Sequence, residues 1–154
     1  MKTKTIPISD PNAIPAALEI LNAGELIAFP TDTVYGIGTF AFNAEGATKI
    51  YQVKKRPPDK ALPILLGDVG QIPLVAVNLP PNALKLAEVF WPGALTLVVP
   101  KHPDIPEEVS SLETVGIRIP DHNFVRALLN AAGPMAVSSA NISGADSPVS
   151  ADDV

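Results

Sequence analysis

Leu26-Ile27-Ala28-Phe29-Pro30-Thr31-Asp32-Thr33-Val34-Tyr35-Gly36-Ile37-Gly38 is the stretch that decides the fold. Its first four residues form an apolar run of strand length, and Pro30 ends it. The residues beyond Pro30 carry hydroxyls, one carboxylate and two glycines, the composition with which a sheet commonly presents polar groups to a small ligand. Upstream, Asp10 is read as a helix cap with Pro11 at the first helical position; Ile14, Ala17, Leu18 and Leu21 repeat at helical spacing, and Gly24 supplies the stop. A helix feeding a buried strand that opens into a polar loop is the start of a layered α/β domain.

Downstream the alternation continues. The pattern predicts a helix over 44–54, with Ala47, Ile50 and Tyr51 inward, ending before Arg56-Pro57-Pro58 because residues ahead of proline resist helical geometry. Leu62–Leu66 reads as a short strand in which Pro63 implies an edge or an irregularity. Asn82–Phe90 reads as a helix, Ala94–Val99 and Val115–Ile119 as strands, Asn123–Ala132 as a helix capped by Asp121, and Met135–Ser138 as a strand. Only a Pro- and Glu-rich loop separates Ala94–Val99 from Val115–Ile119, so the sheet is expected to be mixed.

Composition narrows the classes. The 154 residues suit a single domain, and no apolar run approaches the roughly 20 residues that a membrane-spanning helix needs. No apolar h-region follows Lys2 and Lys4, which is read as the absence of a secretory signal and a cytoplasmic location. With no cysteine there is neither disulfide nor thiolate chemistry. A net charge of −5 argues against a general nucleic-acid coat, yet Lys49, Lys54, Lys55, Arg56 and Lys60 face Asp59 alone within one short segment. One basic patch sits on an acidic body.

Three constellations carry chemistry, and each has a plain structural reading beside it. Thr33 and Tyr35 offer hydroxyls, Asp32 a carboxylate, and Gly36 and Gly38 would let backbone N–H groups approach an anion; the same residue types also build ordinary turns. Gly36-Ile37-Gly38 is not a dinucleotide fingerprint, since Ala41 stands where a third glycine is needed. Lys54, Arg56 and Lys60, stiffened by two prolines, suit a polyphosphate, while a solvated basic cluster at the negative end of a helix is the commoner arrangement of such residues. Ser138-Ser139-Ala140-Asn141, with Ser147 beyond Gly144, suits phosphate or sugar, or a cap. Arg118 lies in an apolar strand, where a cation is costly unless paired, and inward it would hold a carboxylate. His102 and His122 lack partners at metal-ligand spacing.

Jointly these stretches resemble the YrdC-like family, the threonylcarbamoyl-AMP synthases. The match runs through Phe29–Gly38, Lys54–Pro57 with Lys60 and Leu62-Pro63, Trp91-Pro92-Gly93 with Thr96, Val115–Pro120 and Ser138–Gly144. The resemblance implies an α/β fold, a twisted mixed sheet with flanking helices around a concave groove. It also implies a reaction in which L-threonine, bicarbonate and ATP, with Mg2+, give threonylcarbamoyl-AMP and pyrophosphate. The product would serve tRNA threonylcarbamoyladenosine formation by a downstream transferase complex. By position, Thr33, Arg118 and Val137 would hold threonine, Val137 through its backbone. Lys54, Arg56, Lys60, Thr114, Ser139, Asn141 and Ser147 would line the ATP side, with Asp32 and Tyr35 nearby. At Leu65, where some members carry a histidine, this chain is aliphatic. Members also continue past position 154, so residues 1–154 are expected to form one domain without its C-terminal end. The alternative reading is a double-stranded RNA-binding module; a carbamoyl-transfer module of hydrogenase maturation proteins ranks last, because its accompanying cysteine-rich motifs are missing.

Overall fold

Six strands and five helices form among the described residues, and their order follows the alternation of the sequence. A computed structural model describes residues 3–57 and 60–154. The elements are α1 (Ala13–Asn22), β1 (Ile27–Phe29), β2 (Gly36–Phe40), α2 (Ala44–Lys54), β3 (Ile64–Leu65), α3 (Ile72–Val75), α4 (Pro81–Phe90), β4 (Leu97–Pro100), β5 (Thr114–Arg118), α5 (Asn123–Ala132) and β6 (Met135–Ser139). The strands make one mixed sheet in the order β1-β2-β6-β3-β5-β4, parallel between β3 and β5 and antiparallel at every other pairing. The expected fold class is therefore the observed one. Pro58 and Asp59, which bear on the stiffness and local charge of the basic segment, lie outside the described residues.

Several local expectations are corrected. The polar loop is a hairpin, because Gly36–Phe40 is itself a strand, antiparallel to β1 on one side and to β6 on the other. Gly36 and Gly38 thus serve the ladder rather than an anion: a Cβ on Gly36 would meet Val137 Cγ1 at 2.7 Å, and one on Gly38 would meet Val137 Cγ2 at 2.9 Å. Pro63 does not mark an edge, since β3 lies inside the sheet between β6 and β5. Pro63 stands just ahead of that two-residue strand, and its carbonyl still accepts from Val137 N at 3.0 Å. Asn12, not Asp10, flanks α1; Asp10 instead accepts from Asn12 N at 2.8 Å, closing the turn before the helix. His122, not Asp121, caps α5, its Nδ1 accepting from Val125 N.

Two apolar clusters sandwich the sheet. One joins Ala47 and Ile50 of α2, Val75 of α3 and Ala87 of α4 to Ile64, Val99, Val115, Ile117 and Ala136. The other joins Leu21 of α1 and Val125, Leu128 and Leu129 of α5 to Phe29, Leu65, Met135 and Val137. Strand pairs share a face, so the register places Thr114, Gly116 and Arg118 on the same side as Leu65, Val137 and Ser139. Helices α1 and α5 cover that side over β1, β2, β6 and β3. Over β4 it is open, where Val98, paired with Gly116, is 71% exposed.

Candidate functional site

On the open side Arg118 ends β5 and turns its guanidinium toward the hairpin loop. Its Nε donates to Gly93 O at 2.8 Å and one Nη to Thr33 Oγ1 at 3.2 Å, while the other Nη pairs with Asp32 Oδ1. Both charged side chains are shielded, at 12% and 16% exposure. A cation in an apolar strand needs such a partner, and the structure supplies it from 86 residues away. Thr31 shapes the loop that delivers it: its hydroxyl donates to Val34 O at 2.6 Å, accepts from the N–H groups of Thr33 and Val34, and meets Thr33 Oγ1 at 3.1 Å. Sequence reasoning gave Thr31 no role of its own; its spacing to Val34, that of a side-chain turn, was the available signal.

The cationic segment is built around the end of α2. Asn43 caps α2 by accepting from Gly46 N at 2.9 Å, and Lys55, in the left-handed region at φ 50°, ends it. Lys54 is buried, and its Nζ donates to the carbonyls of Ser139 and Asn141. Burial first, and the nearby Arg56 second, lower its pKa from the ordinary lysine value. Arg56 donates from Nε to Lys60 O at 3.3 Å and from Nη to Ala61 O at 3.1 Å. Lys49 pairs with Glu25 at 2.9 Å. Lys55 and Lys60 are the exposed cations of this run.

The residues of the other constellation meet this one through the backbone. Ser143 N donates to Lys54 O, Ala140 N to Tyr35 O, and Tyr35 N to Pro148 O, each at 2.8 Å. The end of α2, the hairpin and the segment after β6, with Ser147 beside Pro148, are thus tied together. Ser139 lies on the open side, half-buried, whereas Ser138 is buried on the opposite face. Asn141 donates from Nδ2 to Ile142 O and Ala145 O, both at 2.9 Å, which leaves its buried Oδ1 with no hydrogen-bond partner. Val137 lies under Gly36 and Gly38 with its N–H engaged by Pro63 O. Thr114 shares the side of Arg118 four residues away, about 13 Å along an extended strand. His102 holds the N–H of Asp104 and His122 caps α5, so both have structural work. Two surface hollows, of about 570 and 620 Å³, lie elsewhere, lined around Asp121–Phe124 and around Phe40–Asn43. Neither hollow includes Arg118, Asp32 or Thr33.

A mixed sheet flanked by helices, with a guanidinium, a carboxylate and a hydroxyl meeting at one strand end, defines a domain of the α/β class. The chain belongs to the Sua5/YciO/YrdC family, described as telomere recombination, whose pattern matches residues 19–154. It is 43% identical to the threonylcarbamoyl-AMP synthase of Bacillus subtilis over 99% of its own length and 44% of that protein. It is 39% identical to a putative threonylcarbamoyl-AMP synthase of Mycobacterium tuberculosis over 97% of its length and 71% of that protein. The Sua5 structure from Pyrococcus abyssi, complexed with L-threonine, superposes with a TM-score of 0.90 at 38% identity, covering 97% of this chain and 44% of that one. The chain thus spans less than half the length of two of these relatives. Among the described residues no helix is long and apolar enough to cross a membrane.

Proposed function

We propose that this chain is the synthase domain of a threonylcarbamoyl-AMP synthase, which joins L-threonine, bicarbonate and ATP and releases pyrophosphate. The observation that carries this reading is Arg118: a shielded guanidinium on the open sheet face, oriented by Gly93 O and already holding a carboxylate. Planar bidentate pairing with carboxylates is what guanidinium does best. Threonine's carboxylate would take that fork, with Thr33 beside it. The nucleotide would extend along the face toward Thr114 and Ser139, where Asn141 Oδ1 awaits a donor. Arg56, Lys60 and Ser147 would line the same end, and Lys54 would shape it by fixing the carbonyls of Ser139 and Asn141.

In this reading threonine's amine combines with bicarbonate to give a carbamate and water. A carbamate oxygen then attacks the α-phosphorus of ATP, and pyrophosphate leaves. Rate comes from positioning and charge neutralisation, with no covalent nucleophile in the protein. Among the described residues no three or more histidine or acidic side chains gather as a metal cage, and Mg2+ would arrive on the phosphates of ATP. The product would pass to a tRNA-modifying transferase in the cytoplasm. The test is pyrophosphate release from purified protein: the reading requires that it depend on threonine, bicarbonate and ATP together. Release that ignores threonine or bicarbonate, or none at saturating substrate, defeats it.

A further inference from the structure

We infer that Asp32 receives the amine of the amino acid, and that substrate enters by opening the Arg118–Asp32 pair. The inference rests on Arg118 as the carboxylate site. Each guanidinium nitrogen already has one partner, which takes three of the five N–H groups: Nε donates to Gly93 O, one Nη to Thr33 Oγ1 and the other to Asp32. An arriving carboxylate that takes the fork needs two N–H groups side by side, and it meets a resident carboxylate on one of those nitrogens. Gly93 is fixed by backbone, its N–H bonded to Ile119 O at 2.8 Å, and Thr33 offers a neutral hydroxyl that can turn. Asp32 carries the same charge as the incoming group and is the one that yields.

Displacement alone would strand a carboxylate whose side chain is partly shielded, 16% exposed with Arg118 in place. Such a group is costly without a cation. Among the described residues Arg118 is the cation that pairs with Asp32, the other ion pairs being Lys49–Glu25 and His102–Asp104. A zwitterionic amino acid brings the replacement itself, its ammonium sitting one carbon from its carboxylate. One ion pair becomes two, and the net charge of the cleft is unchanged.

The same placement supplies a base. Carbamate formation needs a neutral amine, so an ammonium N–H bond breaks and its proton passes to an Asp32 oxygen. The amine's lone pair then forms the N–C bond to bicarbonate, whose hydroxyl leaves with a second amine proton as water. The proton on Asp32 returns to solvent.

Calorimetric titration of the purified protein with L-threonine and with β-hydroxybutyrate, the same skeleton without its amine, tests this. Asp32→Asn is expected to weaken threonine binding by at least about tenfold, the scale of a lost charge-assisted contact. It should bind β-hydroxybutyrate as well as or better than the wild type, because no resident carboxylate competes. Asp32→Glu, which keeps the charge, should recover most of the preference for threonine. Equal weakening of both ligands, or unchanged threonine affinity in Asp32→Asn, overturns the inference. A wild-type protein that binds no threonine overturns it together with the assignment of Arg118.

Discussion

Arg118 and Lys54 are both shielded cations, and the structure gives them different work. Arg118 ends in a fork whose two Nη groups meet side chains, so replacing it should remove threonine binding while sparing the fold's interior. Arg118→Ala is expected to weaken threonine binding by roughly a hundredfold, at the upper end for a charged hydrogen-bonding group, and to leave ATP binding within about threefold. Arg118→Lys should not rescue it, since a point charge lacks the planar fork. Equal loss of both ligands, read by calorimetry, would contradict this division. Lys54 meets backbone carbonyls instead, so Lys54→Met should cost stability, about 1–3 kcal/mol for orphaned acceptors, as well as nucleotide affinity. Its titration gives a second readout. Because its folded pKa is lowered below 10.5, the unfolded chain holds the proton over a range of alkaline pH where the folded one does not. Lys54 therefore makes unfolding less favourable as pH rises toward 10.5, and Lys54→Met should flatten that slope in denaturant titrations. The sequence marked Arg118 as a costly cation and Lys54 as one of a basic cluster at a helix end. Their partners lay 85 and 86 residues away, and no local pattern encodes such a distance.

At the scale of elements, legibility follows agreement between local signals. Helix α2 is legible to its ends because inward Ala47 and Ile50 and the approaching prolines point the same way. Strand β2 is hidden because glycine and threonine weaken the strand signal, and the reason for glycine there is tertiary: β6 packs Val137 where side chains would be. Pro63 misleads because the ladder bond it offers runs from its carbonyl, which proline keeps. Four-residue α3 is too short for periodicity to show. The packing of β2 on β6 makes a prediction. Gly36→Ala should destabilise the protein by about 1–3 kcal/mol through overpacking, and Val137→Ala in the same chain should recover part of it. Thermal unfolding of the single and double variants decides; additive losses would mean that Val137 is not the obstacle.

Across the whole molecule, the site exists because three distant segments close on one sheet face. Arg118 bonds Gly93, Thr33 and Asp32; Lys54 bonds the end of β6; and Tyr35 is clamped between Ala140 and Pro148. The resemblance of five ordered blocks to a family named the residues to watch, while only the fold shows which of them touch. Deleting residues 146–154 removes the Pro148 carbonyl from Tyr35 N but takes away little buried surface, Pro148 being the one buried residue of that stretch. That truncation should keep the circular-dichroism spectrum and lose threonine affinity severalfold by loosening the hairpin loop. An unchanged affinity would show that the loop holds its shape without the clamp. The most direct measurement is a crystal structure grown with saturating L-threonine. The account predicts threonine on the open face with its carboxylate on the Arg118 guanidinium, whereas threonine seated elsewhere, with the Arg118–Asp32 pair intact, would contradict it.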